Sequence, residues 1–179
     1  MKNLNAILLL VGESGSGKTT IANELEKHGL KQLRSYTTRS KRYENEDCHT
    51  FVSLDQYHQL QNIVAETYFD GNYYCATTDQ VNQNDVYVID VDGVKSFYDK
   101  YNGSKIPVVF YISAPESERA ARMTARGDAG EQIQRRIEHD RKAFEDIGMY
   151  ADYVIKNVEL DKTVTQILDA VHMSENAQL

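Results

Sequence analysis

No run of 18 or more apolar residues occurs in this 179-residue chain, and the longest, Ala6 to Val11, has the length of a strand rather than of a bilayer-crossing helix. That run is also too short and too early for a secretory signal, so a soluble, cytoplasmic protein without a membrane partner is expected. Cysteine is scarce. Cys48 and Cys75 lie far apart without a CxxC or a histidine at ligand spacing, which leaves neither a disulfide framework nor a structural zinc site. Positive charge is in deficit: 20 Lys and Arg against 27 Asp and Glu give a net charge of -7, which argues against a protein that wraps a nucleic-acid backbone. The deficit is uneven, because residues 18–42 and 119–142 each carry seven basic side chains against two and four acids. An acidic body with two basic segments is compatible with a pocket for small anions.

With 41% hydrophobic residues spread along its length, the chain has material for one domain with a real core. Leu4 to Val11 reads as a buried strand, Thr19 to His28 as a helix ending at Gly29, and Gln32 to Tyr36 as a short strand. Asp85 to Val91 and Pro107 to Ser113 are further apolar strands, each followed by a helical stretch, near Val94 to Tyr101 and Pro115 to Arg126. Tyr153 to Lys156 and Thr163 to Val171 read as a last strand and a last helix. Alternating strands and helices predict an α/β fold, a mostly parallel sheet flanked by helices. Residues 42–84 break the rhythm with short strand-like pieces around one helix, Leu54 to Gln61 behind a Ser53 cap, as an inserted small mixed-β lobe would. The polar stretch 126–132 between two basic helices has the composition of a lid tip, and the tail 174–179 is expected to fray.

Residues 12–19 read Gly12-Glu13-Ser14-Gly15-Ser16-Gly17-Lys18-Thr19, the GxxxxGK[ST] spacing, between a strand and a helix. The glycines let consecutive backbone N–H groups wrap phosphate oxygens, and the following helix aims its positive end at the same anion. Lys18 is placed for the β- and γ-phosphates and the Thr19 hydroxyl for magnesium, with Thr20 next in the helix. A GTPase is disfavoured: Asp90-Val91-Asp92-Gly93 matches DxxG, but no Asn-Lys pair for reading guanine occurs anywhere. The segment 35–42, SYTTRSKR, offers two arginines three apart among hydroxyls, a fork for a second phosphate or simply a solvated basic loop.

Over nearly its whole length the chain resembles the guanylate kinase family, through the phosphate loop, SYTTRSKR, CHTFVS, VAETYFDGNYYCAT, VYVIDVDGVKS, ISAPESERAARMTARGD, IQRRI and DYVIKN in the family's order. The resemblance implies a P-loop kinase made of one domain: a core at about 1–34, 85–120 and 145–179, an acceptor-binding lobe at about 35–84, and a helical lid at about 121–144. It implies transfer of a phosphoryl group from ATP to GMP or dGMP with magnesium. Ser35, Arg39, Arg42 and Tyr74 are then expected on the acceptor phosphate, and Glu66 and Asp92 on the guanine. Asp90 is expected near the magnesium, Arg122, Arg126 and Arg136 as lid and catalytic arginines, and Asn157 beside the adenine.

The chain also departs from the pattern. His49 stands where the family usually has tyrosine, so acceptor affinity is expected to vary with pH near neutrality. Ala76 lacks a hydroxyl expected at guanine O6, for which Thr77 or a backbone group is the substitute. Two rivals follow: the same fold acting on another nucleotide or a phosphosugar, and a non-catalytic interaction module. The intact Lys18, Thr19 and lid arginines weigh against the second.

Overall fold

The computed structural model describes residues 4–176, with side chains through 173, so the end of the tail expected to fray lies outside the described residues. β1 (Ala6–Val11) sends Leu8 and Leu10 into one apolar cluster and Ile7, Leu9 and Val11 into another on its opposite face. A strand covered on both sides needs no polar alternation, which is why it reads as an unbroken apolar run. Each such side chain contributes about 1.5–3 kcal/mol by leaving water. The phosphate loop follows, then α1 (Lys18–Lys27), and the chain turns away at Gly29, whose φ of 89° suits glycine.

β2 (Gln32–Leu33) and β3 (Tyr36–Thr37) occupy the stretch expected to be one strand, but they belong to different sheets, with Arg34 and Ser35 making the crossing. β4 (Thr50–Phe51) and α2 (Leu54–His58) come next; α2 starts behind the expected Ser53 in a capping box with Gln56 and stops short of Gln61. β5 (Ile63–Phe69) and β6 (Asn72–Thr77) form a hairpin through Asp70 and Gly71, both at positive φ, 49° and 78°. A helix that the sequence reading missed, α3 (Thr78–Gln83), starts in a second capping box formed by Thr77 and Gln80. The remaining elements are β7 (Val86–Val88), α4 (Val91–Lys100), β8 (Ile106–Ser113), α5 (Glu116–Ala125), α6 (Gly130–Ala143), β9 (Tyr153–Lys156) and α7 (Leu160–Asn176).

The larger sheet has the order β2-β7-β1-β8-β9, with every neighbouring pair parallel. α1 and α7 contribute Ile21, Leu25 and Ile167 to the cluster on one face, and α4 contributes Val94 and Phe97 to the other. β7 and β8 flank β1, so the loops leaving the carboxyl ends of β1 and β7 border one crevice. The second sheet, β4-β3-β6-β5, is mixed, with β3 and β4 parallel and the other pairs antiparallel. Its hairpin register sets Ala65 against Ala76, Glu66 against Cys75 and Thr67 against Tyr74, after an irregularity between Ile63 and Ala65. No helix among the described residues is long and apolar enough to cross a membrane.

Candidate active site

The phosphate loop ends at Gly17, which caps α1 in the left-handed region at φ 101° and offers no side-chain acceptor. The first turn of α1 holds no acidic residue either, so its N–H donors lack a side-chain partner, as an anion-binding helix end requires. A Cβ at Gly17 would run into the Asn157 amide, and one at Gly12 into the Ile112 carbonyl, so glycine is set here by close approach as well as by φ. Lys18 curls back over the loop, its Nζ donating to the carbonyls of Gly12 at 2.5 Å and Glu13 at 3.0 Å. Burial pushes its pKa down to about 8, against the opposing pull of Asp140, Glu13 and Asp90.

Helix α6 supplies an unforeseen partner. Asp140, 6% exposed, accepts the Ser14 backbone N–H at 2.7 Å and faces Arg119 Nη1 at 3.5 Å, so a carboxylate already engages one donor of the loop. The row of arginines on α5 divides its roles. Arg119 is buried against Asp140, and Arg122 donates to the carbonyls of Ser16 at 3.2 Å and Asn157 at 3.1 Å, bracing the loop from outside. Arg126 is folded onto Asp128 through its Nε and Nη2, at the lid tip. Arg136 of α6 lines the cavity. Asn157 lies under the loop: it is 6% exposed, donates to the Ser16 carbonyl at 2.7 Å and accepts from the Thr163 hydroxyl at 3.2 Å.

A cavity of about 320 Å³ opens in front of the loop, lined by Gly12, Ser14 and Lys18 from one side and by Ser35, His49, Thr67 and Tyr74 from the second sheet. The N-terminal end of α4 adds Asp90 and Asp92, and α6 adds Arg136 and His139. β5 and α6 meet where the Phe69 and His139 rings stand edge to face at 5.5 Å. Ser35 and His49 share a 2.9 Å hydrogen bond, and the His49 ring packs edge-on against Tyr74 at 5.6 Å.

Burial, helped by the charge of Arg39, pushes the His49 pKa down to about 4, so the imidazole is neutral across the range where a pH-sensitive acceptor site was expected. The unfolded chain takes up this proton near pH 6.5 and the folded one only near 4, so His49 costs stability as pH falls through that window. The melting temperature is therefore expected to drop more steeply from pH 7 to pH 5 in the wild type than in His49→Gln. Equal slopes would show that His49 titrates normally.

Arg39 and Arg42 converge on a residue that no motif pointed to. Glu46, 2% exposed, accepts from Arg39 Nη2 at 2.7 Å, Arg39 Nη1 at 3.2 Å and the Arg42 backbone N–H at 2.7 Å. The Arg39 guanidinium holds its carboxyl down to about 2. Arg39 Nε is buried without a partner among the described residues, an orphan donor beside the acceptor cluster.

Two residues expected at the base, Thr77 and Glu66, do not line the cavity. Thr77 caps α3, its hydroxyl accepting the Gln80 N–H, and it does not line the cavity. Glu66 opposes Cys75, so strand alternation turns it to the face away from Tyr74. There its oxygens take the Tyr57 hydroxyl at 2.5 Å and the Lys100 ammonium at 3.2 Å, and the Tyr57 bond holds its carboxyl below the usual range. Asp92 does border the cavity, exposed, 3.7 Å from Lys95. Asp90 caps α4, its Oδ1 accepting the Gly93 N–H at 2.7 Å and the Thr67 hydroxyl at 2.8 Å, and burial raises its pKa.

The guanylate kinase family model matches residues 5–174. The chain is 30% identical over 182 residues to the guanylate kinase of Wolbachia pipientis, with 93% of this chain and 89% of that one covered. It is 26% identical to the guanylate kinase of Prochlorococcus marinus, covering 96% of this chain and 99% of that one. The crystal structure of guanylate kinase from Anaplasma phagocytophilum shares the fold at a TM-score of 0.65 and 22% identity, over 94% of this chain and 85% of that one. On the strength of the match along nearly its whole length, the chain belongs to the guanylate kinase family.

Proposed function

We propose that this protein transfers the γ-phosphoryl group of ATP to the phosphate of GMP, giving ADP and GDP. The observation that carries the reading is one cavity shared by the phosphate loop, through Gly12, Ser14 and Lys18, and by the acceptor cluster of Ser35, His49 and Tyr74. The nucleophile is an oxygen of the acceptor's own phosphate, already anionic at pH 7, so no general base is needed. A bond forms from that oxygen to the γ-phosphorus while the bond to the β,γ-bridging oxygen breaks, and the chain's task is alignment and charge neutralisation.

Lys18 and the uncapped end of α1 hold the donor phosphates; Arg39, its guanidinium held by Glu46, holds the acceptor together with Arg42, whose backbone N–H bonds the same carboxylate, and Tyr74. Arg136 serves from the lid, joined by Arg126 once it leaves Asp128. Phe69 and His139, in ring contact and both lining the cavity, are placed to help exclude water, the competing acceptor, when nucleotides are bound. Among the described residues no cluster of three or more His, Cys, Asp or Glu could hold a metal ion. The oxygens of Thr19 and Asp90 are hard donors of the kind magnesium takes and would hold such an ion, which would supply charge neutralisation at the phosphates.

The test is ADP release with GMP, dGMP, AMP, CMP, UMP and dTMP as acceptors. Preferred transfer to guanine nucleotides is expected, and activity without that preference overturns the reading.

A further inference from the structure

A loop built to hold anions already holds one, supplied by the chain itself. Asp140 of α6 lines the cavity beside Gly12, Ser14 and Lys18, and its Oδ2 accepts the Ser14 backbone N–H at 2.7 Å. That bond is short and charge-assisted, whereas the ion pair with Arg119 is long. Arg119 Nη1 stands 3.5 Å from the same oxygen and 3.4 Å from the Ser14 carbonyl, and Arg119 Nε has no partner among the described residues. The other oxygen, Oδ1, is 3.8 Å from His139 Nδ1. The loop, more than Arg119, therefore holds the carboxylate. Asp140 is also the acid that most favours the charge on Lys18, so carboxylate and ammonium act on the same space.

We propose that Asp140 is an internal competitor at the donor site, a carboxylate that α6 places on the empty phosphate loop and that the donor phosphates displace, so that this one residue sets the affinity for ATP. Electrostatics give the direction. A phosphate brought to Lys18 carries its negative charge against Asp140, in a partly desolvated cleft where like charges repel more strongly than in water. Donor binding then includes the cost of lifting the carboxylate from Ser14, and the apparent affinity is reduced by the fraction of molecules in which the loop is already vacant.

Two consequences follow from where Asp140 sits. Arg136 precedes it by one helical turn, at the i, i+4 spacing, and lines the same cavity, so the step that frees Asp140 also resets the arginine of α6. Helix α6 keeps its hold on α5 meanwhile, through Ile133 and Ile137 packed on Met123 and through Arg141 on Glu116; among the described residues, Asp140 makes the hydrogen bond that joins α6 to the loop. Arg119, once relieved of Asp140, leaves an uncompensated positive charge beside Ser14, which adds to the attraction for phosphates.

The inference rests on the donor half of the reading above, and binding measured apart from turnover separates the two. Titration calorimetry gives the dissociation constants of ATP and of inorganic pyrophosphate, both with magnesium, for the wild type, Asp140→Asn and Asp140→Ala. Asp140→Asn keeps the shape and an oxygen for the Ser14 N–H but loses the charge, and it is expected to bind both ligands about 10-fold more tightly. Asp140→Ala, which vacates the N–H, should bind them at least as tightly as Asp140→Asn; if the alanine variant does not fold, the asparagine variant decides alone. A residue that merely braced the loop would do the opposite, weakening both ligands when removed. Unchanged or weaker binding by Asp140→Asn overturns the inference, and so does a gain confined to ATP, which would place the effect away from the phosphates. In either case transfer from ATP to GMP by the wild type leaves the parent reading standing. A wild type that binds neither ligand fails the parent reading first, and the inference with it.

Discussion

Replacing Lys18 with alanine is expected to lower kcat by about 10³-fold or more, the scale set by single charges aimed at a transferring phosphoryl group. The geometry makes the case specific. Lys18 follows the left-handed Gly17 cap directly, and its ammonium is held against the Gly12 and Glu13 carbonyls at the mouth of the cavity. Phosphate oxygens entering there offer full negative charge in place of carbonyl dipoles, so the ammonium should transfer to them. Burial already disfavours its charge in the free protein, so the truncation should cost little stability. Steady-state turnover and a thermal melt on the same sample decide the matter. Retained turnover would mean that the transferred group lies elsewhere, and a large drop in melting temperature would mean that the loop, not the chemistry, had been damaged.

The second large effect belongs to Arg39. Arg39→Ala is expected to raise the KM for GMP about 100-fold through loss of a charged, forked donor, with the KM for ATP changed far less. The complication is Glu46, which the substitution leaves buried beside only the Arg42 N–H and the Cys48 thiol. A buried carboxylate that loses its partner is destabilising by about 3–5 kcal/mol, so a poorly folded variant could imitate a binding defect. The double variant Arg39→Ala with Glu46→Ala resolves this, because it removes the orphaned charge as well. Its melting temperature should recover while its KM for GMP stays high. Recovery of both would make Arg39 a purely structural partner of Glu46, and equal losses for ATP and GMP would contradict the division of the site.

What the sequence made legible was local. The phosphate loop announces itself because glycine, lysine and hydroxyl positions stand at fixed short spacing, and β1 does so because burial on both faces leaves an unbroken apolar run. α3 was equally local, signalled by Thr77 and Gln80 at capping-box spacing, and passed unnoticed under neighbouring strand-like residues. Other features depend on contacts between distant residues. Asp140 reaches Ser14 across most of the chain, and nothing in the charge pattern of α6 distinguishes it from the solvated acids around it. Glu46 sits among Glu44 and Asp47, and only the fold of that loop buries it under Arg39. The face on which Glu66 emerges depends on hairpin register, which resemblance at the level of residue types does not convey. Tyr73 and Tyr74 show the reverse case. Alternation allows only one of them toward a ligand, and Tyr74 lines the cavity while Tyr73 stacks on Tyr57 at 4.8 Å.

The tight Asp70-Gly71 turn and the irregularity between Ile63 and Ala65 together decide which side of β5 meets the nucleotide. A single residue gained or lost between those two points, with the flanking pairing kept, would exchange the neighbours Glu66 and Thr67, placing a carboxylate in the cavity and a hydroxyl behind the sheet. One inserted residue can thus change which side chains of β5 face the cavity, with every existing amino acid retained.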